Sequence, residues 1–376
     1  MQIIKKKEKI GNILFTTAII LELLIMMTDY SAITLPLRGR IAQLAFVLFG
    51  CKILTTKYSK KQWIVIILLG ILGCVSYFTC DEEYVLRAIV MVFAAKDIDL
   101  LKTVKIIWAG TLLGTLLIIG LSITGIMGEL AEVRNFGRGL VETRWKFGFS
   151  HANNIHDILW YVTALFLLIK GKTCNWKHYV LITFLNVGLF FFTISRNGLL
   201  ATEMLVLACA FFHYFPAFQE QEWPYCLGVA GLAACIVLTL LGGMYCAAHT
   251  EYLNTIDRLL TGRLEMVWEY APASSWKWFP EARSLSYVDN GFASILFYYG
   301  ILIGVGYWIL ILYMIYRFYR EKNGIGLVIL ITTIFITFME STFIFSVSLL
   351  CNPLYLLLFD NWYLFGKAQI SEKIGA

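Results

Sequence analysis

Apolar runs long enough to cross a bilayer recur from one end of the chain to the other. A spanning helix needs about 20 predominantly apolar residues. Candidate runs lie at 12–28, 36–54, 63–79, 84–96, 104–124, 156–169, 178–194, 197–215, 224–247, 291–315, 325–339 and 343–360. The fourth is short and carries Arg87, so it is expected to be tilted, broken or covered by neighbours. The polar stretches between runs are brief except at about 125–155 and 248–290. The pattern predicts an all-α polytopic membrane protein of about twelve transmembrane helices, a single integral membrane domain over 1–376 with two long extracytoplasmic loops. Only six Pro occur, and no repeat or low-complexity tract suggests a linker or a soluble domain.

Composition excludes a soluble enzyme of this length: 59% of residues are hydrophobic and the mean hydropathy is +0.73. The net charge of +6 does not point to nucleic acid, because Lys on alternate loops accounts for it. Of 19 Lys, 17 fall in or beside 1–11, 55–62, 97–103, 170–177, 316–324 and the tail from 361. The positive-inside rule places those loops and both termini in the cytoplasm. The first run follows Lys5, Lys6, Lys7 and Lys9 without a small-residue cleavage site, and is read as a retained helix. The nine Cys show no metal spacing and lie mostly within apolar runs, as small buried hydrophobes do. No cofactor or metal is expected.

Arg is distributed differently. Of 12 Arg, 10 fall on the opposite face or just inside it: Arg38, Arg40, Arg87, Arg134, Arg138, Arg144, Arg196, Arg258, Arg263 and Arg283. This runs against the positive-inside rule and calls for another cause. Guanidinium grips phosphate and carboxylate through two parallel hydrogen bonds, which ammonium cannot do. An anionic, phosphorylated substrate on the outer face is the expectation.

The first long loop alternates Arg with aromatics: Arg134, Phe136, Arg138, Arg144, Trp145, Phe147 and Phe149. It ends in polar residues where a span begins: His151, Asn153, Asn154, His156 and Asp157. This reads either as a solvated basic loop or as a lid over an anionic sugar, since aromatic faces suit sugar rings. Ser195, Arg196, Asn197 and Gly198 form a tight turn between two spans, which puts Arg196 at membrane depth. It either snorkels to headgroups or points into a cavity. In the second long loop, Leu259, Leu260, Leu264, Val267 and Trp268 make a helical apolar stripe, with Arg258 and Arg263 on its polar side. That segment is an interfacial cap or part of a site. Asp289 and Asn290 precede the next span as ordinary helix caps would.

At four places the chain resembles the O-antigen polymerase and O-antigen ligase superfamily of bacterial envelope enzymes. These are Gly148 to Asn154, the Ser195 to Gly198 turn, Thr261, Gly262 and Arg263 followed by Trp268, and Asp289 and Asn290 leading to Tyr299, Gly300 and Gly304. The resemblance extends over nearly the whole chain. It implies a GT-C-like fold in the cytoplasmic (inner) membrane of a bacterium. It also implies action on sugars carried by polyisoprenyl pyrophosphate, with Arg196 and Arg263 as the essential arginines. The ligase's loop His has no counterpart, since His249 lies too early in the second long loop.

The expected function is therefore a polysaccharide polymerase, making capsule, exopolysaccharide or O-antigen. A hydroxyl of one lipid-linked repeat attacks the anomeric carbon of another, and polyprenyl pyrophosphate leaves. Catalytic candidates are His151, Arg196 and Arg263. Substrate-binding candidates are Arg134, Arg138, Asn154, His156, Arg258, Arg283, Asp289 and Asn290. The base is His151 or His156, with Asp257, Glu265 and Asp289 as alternatives. Expected partners are polyprenyl-pyrophosphate-linked oligosaccharide, membrane lipids, a chain-length regulator and a flippase. The alternatives are a flippase or transporter of the same lipid-linked sugar, an O-antigen ligase, and a non-catalytic assembly partner.

Overall fold

The computed structural model describes residues 2–135, 141–244, 251–280, 288–345 and 349–359. The described chain is helical apart from one hairpin. Its helices are α1 (Gln2–Asp29), α2 (Arg38–Thr55), α3 (Lys60–Cys80), α4 (Tyr84–Ala94), α5 (Leu100–Ile123), α6 (Ala152–Lys170), α7 (Trp176–Thr193) and α8 (Arg196–Tyr214). There follow α9 (Trp223–Met244), α10 (Glu251–Leu259), α11 (Arg263–Tyr270), α12 (Gly291–Ser294), α13 (Ile301–Glu321), α14 (Gly324–Met339), α15 (Thr342–Phe345) and α16 (Pro353–Phe359). Among the described residues, seven helices are long and apolar enough to cross a membrane, with α4 and α14 as shorter apolar helices. The chain is a multi-pass membrane protein.

Its helices are inverted relative to those of a soluble protein. On α3 the buried residues are Gln62, Gly73, Ser76 and Cys80, while Ile64, Leu68, Ile71 and Phe78 are exposed. On α7, Tyr179, Asn186 and Thr193 are buried while Phe184 and Phe191 are exposed. Lipid tails are as apolar as Leu, so apolar burial does not drive these helices together. Small residues and hydrogen bonds do. Gly73 shows it: a Cβ there would sit 3.0 Å from Leu86.

Contacts divide the chain into two units. The first comprises Met1–Tyr58, Val90–Tyr214 and Val347–Ala376, and the second Ser59–Ile89 and Phe215–Ser346.

In the first unit, Lys52 Nζ donates to Lys96 O (2.9 Å) and Lys96 Nζ to Lys57 O (2.5 Å), gathering the Lys-bearing loops. At another end, Ala32 N donates to Gly148 O (3.0 Å) and Ser150 N to Tyr30 O (2.9 Å). Trp145 and Phe147 pack edge-on against Phe192. The loops after α1 and α5 therefore meet the end of α7. The 125–155 loop carries regular structure. It forms an antiparallel hairpin of β1 (Ala131–Asn135) and β2 (Val141–Trp145), with Glu132 opposite Arg144. Lys146 and Glu129 pair at its base (2.7 Å), which holds the Glu129 carboxyl below its ordinary range.

In the second unit, Tyr319 Oη donates to Glu222 (2.9 Å) and Lys322 Nζ to Glu220 O (3.1 Å), joining the α8–α9 and α13–α14 connections. The 257–264, 288–291 and 337–341 segments meet elsewhere in the same unit.

Three expected spans are short or interrupted. The run 84–96 is the eleven-residue α4. The run 291–315 is α12, a π-helical turn at Ile295–Tyr299, and then α13. Gly300 breaks it at φ 91°, where the 277–280 segment crosses. Ile301 N donates to Lys277 O (2.9 Å), and a Cβ on Gly300 would lie 2.5 Å from Trp278 O. Backbone freed from a helix at such depth must be covered by protein. The run 343–360 is split into α15, a 3-10 turn (Leu349–Cys351) and α16. Pro353 opens α16, and Asn352 caps it by accepting from Leu354 N (3.0 Å).

The amphipathic segment of the second long loop is also two helices rather than one. Thr261 (φ 58°) and Gly262 (φ 79°) turn the chain between α10 and α11. Leu264 and Val267 are buried as the stripe predicts, while Leu259 is exposed. Gly242 of α9 admits the Leu264 backbone, and Gly243 admits the Trp276 ring.

Candidate functional site

The second unit assembles a charged cluster around Arg263, the first residue of α11. Asp257 orients that helix by accepting from Leu264 N (2.7 Å), in the manner of a cap. Arg263 is buried, and its five N–H groups all find partners. Nε donates to Met339 O, and Nη1 to Leu260 O (3.1 Å) and to Thr261 Oγ1. Nη2 is shared between Asp289 Oδ2 (3.2 Å) and Glu340 Oε1 (3.1 Å). One guanidinium thus holds two carboxylates, and their formal charges sum to −1. Glu340 is 4% exposed.

Among the described residues, several polar atoms around this cluster lack partners. Asn290 caps α12 through Oδ1, which accepts from Ala293 N (2.9 Å), but its Nδ2 is buried without a bond. Thr337 Oγ1 and Ser341 Oγ are buried and unpartnered among the described residues too. Gly291 packs directly on Thr337 and Glu340, where a Cβ would come within 2.5 Å of Thr337 O, so these groups lie on adjoining segments. A buried polar group without a bond costs about 1–3 kcal/mol. Several such groups beside surplus negative charge form an environment suited to a ligand rich in hydroxyls.

The first unit carries a second polar assembly. His156 is fully buried and bonded at both ring nitrogens, Nδ1 to Thr193 Oγ1 (3.0 Å) and Nε2 to Asn186 Oδ1 (2.7 Å). Asn186 Nδ2 donates to Leu199 O (3.1 Å) and Glu203 Oε1 (2.8 Å). Gly198 lies against the imidazole, where a Cβ would be 2.6 Å from the ring. The sequence reads His156 as a substrate-binding candidate, and the structure places it as a buried tie between α6, α7 and α8.

His151 is the N-cap of α6, with Nδ1 accepting from Asn153 N (3.2 Å). The lone pair a base would use is occupied by the cap. Asn154 ties the same turn to Tyr30 O (3.3 Å) and Ser150 Oγ (2.7 Å). Burial, with Cys351 and Asp157 nearby, pushes the Tyr30 hydroxyl well above the ordinary phenol value.

Arg196 opens α8 after a left-handed Ile194 (φ 52°), so the expected tight turn is present, and its side chain is exposed. Arg258 and Glu265 are also exposed. Arg134 lies in β1 opposite Glu142, but its side chain, together with Arg138, Arg283 and His249, lies outside the described residues. Much of the Arg asymmetry has an internal cause. Arg38 pairs bidentately with Asp29 (2.7 and 2.8 Å), Arg87 with Glu83 (2.9 Å) and Arg144 with Glu142 (2.7 Å). These guanidiniums neutralise the protein's own carboxylates.

Sequence reasoning passed over Glu340, Ser341, Asn186 and Glu203. Each is an isolated polar residue in or between apolar runs, and such residues in a membrane segment are expensive unless paired or functional. That isolation was the available signal. No protein-family model matches this chain, and neither does any curated protein or solved structure.

Proposed function

We propose that the protein is a membrane glycosyltransferase of the polysaccharide-polymerase type, joining polyprenyl-pyrophosphate-linked oligosaccharide repeats at the outer face of a bacterial inner membrane. The observation that carries this reading is the Arg263–Asp289–Glu340 cluster beside the unpartnered Asn290, Thr337 and Ser341. It offers carboxylates to accept a proton from a sugar hydroxyl, and buried donors and acceptors for neighbouring hydroxyls. Because His151 is committed to a cap, Asp289 or Glu340 is the better base, with Arg263 positioning both. Arg196, exposed at a helix start in the first unit, keeps the pyrophosphate-binding role that the sequence implies for it. The reading includes about twelve membrane passages in a GT-C-like arrangement, cytoplasmic termini, and a chain-length regulator and flippase as partners.

A flippase or transporter of the same lipid-linked sugar is the second reading. It is favoured by ionisable residues within spans, namely Glu22, His156 and Glu203. Purified protein incubated with lipid-linked repeat units separates the two. A ladder of longer products, lost in Glu340→Gln and Asp289→Asn, supports the polymerase. Unchanged repeat length, with repeats crossing the bilayer of proteoliposomes, supports the transporter.

A further inference from the structure

The hydrogen bonds around His156 determine where its protons can reside. Asn186 Nδ2 faces two acceptors, Leu199 O and Glu203 Oε1, which fixes the orientation of the amide. Its Oδ1 therefore faces the imidazole, and an oxygen acceptor there requires His156 Nε2 to carry a hydrogen. Nε2 is then protonated in every state of this geometry, and any change of charge occurs at Nδ1.

Nδ1 faces Thr193 Oγ1, a hydroxyl with a choice of direction. It can donate to Nδ1 (3.0 Å) or to Leu189 O (3.1 Å). In the first case the imidazole is neutral. In the second, Nδ1–H donates to the hydroxyl and the imidazole is cationic. One rotation of the Thr193 hydroxyl serves both states without moving a heavy atom. Ser195 N donates to the same oxygen (3.3 Å) in either case.

The charge balance points the same way. Two donors face the Glu203 carboxylate, Asn186 Nδ2 at 2.8 Å and Thr183 Oγ1 at 3.1 Å. With Glu203 ionised and His156 neutral, the network carries a net charge of −1 within α6, α7 and α8. A proton on Nδ1 makes it neutral overall. The Asn186 amide lies between the opposite charges with its oxygen toward the cation and its NH₂ toward the anion.

The other charges on elements packed around the network are few. Asp157 follows His156 on α6, in the group with Tyr30 and Tyr161. Arg196 opens α8 and is exposed. Arg144 of β2 is paired with Glu142. The Lys of α5, α6 and α7, with His178 and His213, lie near helix ends.

We propose that His156, Asn186 and Glu203 form an intramembrane proton-binding site, which takes one proton on His156 Nδ1 with the Thr193 hydroxyl as its switch. The site is independent of the Arg263 cluster and of the polymerase reading. Its test is nitrogen NMR of the full-length protein labelled with ¹⁵N-histidine in nanodiscs, titrated with pH. The four other His are assigned by single His→Gln changes. His156 should show Nε2 protonated throughout and Nδ1 titrating. Glu203→Gln should move that titration to lower pH by about one unit or more, because the imidazolium loses its counter-charge. Should Glu203→Gln not be recovered folded, Thr193→Val gives the second arm. It removes the acceptor for Nδ1–H and should also move the titration to lower pH. A His156 whose Nδ1 never titrates, whose Nε2 is unprotonated, or whose titration is unmoved by the recovered variants would overturn the proposal.

Discussion

Replacing Arg263 by Met removes one buried cation from between two carboxylates and leaves a local formal charge of −2 where there was −1. Breaking a buried ion pair by deleting one partner costs about 3–5 kcal/mol, because the remaining charge is left uncompensated. Asp289 retains 20% side-chain exposure and recovers some solvation, so the lower end of that range applies. The sharper expectation is a reversal of sign at Glu340. In the wild-type background Glu340→Gln weakens a charge-assisted hydrogen bond and should destabilise by about 1.5–3 kcal/mol. In the Arg263→Met background the same change removes an unpaired buried charge and should restore about 1–3 kcal/mol. Arg258→Met, at an exposed position, should fall within about 0.5 kcal/mol of wild type. Denaturant unfolding of the detergent-solubilised protein, followed by size-exclusion fluorescence, measures all four. If Glu340→Gln destabilises equally in both backgrounds, the cluster has no energetic coupling and the site argued from it fails.

Single-cysteine labelling should place 60 and 172 on one side of the membrane and 140 and 275 on the other, and a matching result at 275 and 60 would invalidate the outer-face reading. His151→Ala should lose about 1 kcal/mol with its cap, whereas His151→Asn, which restores a capping side chain, should keep both stability and activity. Inactive but stable His151→Asn would make His151 the base after all. Arg196→Lys should lose most polymer formation while membrane abundance is unchanged, since one ammonium cannot replace the two-pronged contact with pyrophosphate. An active Lys variant would make Arg196 a residue that only reaches headgroups.

The membrane character of the chain was legible in sequence, because every backbone group in a bilayer must be satisfied locally and long apolar helices do this. Two helix starts carry an equally local signal. Ser59 with Gln62, and Asn175 with His178, form reciprocal caps over three residues of sequence. The Ser195–Arg196 turn and the burial of Leu264 and Val267 also followed from spacing alone.

What the chain's partners are at long range was decided only by tertiary structure. The break at Gly300 depends on the 277–280 segment crossing it, and hydropathy across 291–315 carries no trace of that crossing. Arg38, Arg144 and Arg263 were equally compatible with an external phosphate or an internal carboxylate, and composition cannot distinguish the two. Asp29 and Glu142 supply the internal answer from 9 and 2 residues away, but for Arg263 it comes from Asp289 and Glu340, 26 and 77 residues along the chain. His151 and His156 are five residues apart and chemically identical in sequence. One caps a helix and the other is enclosed by Asn186, Thr193 and Gly198, because the packing of α6 against α7 and α8 sets which hydrogen-bond partners each imidazole meets.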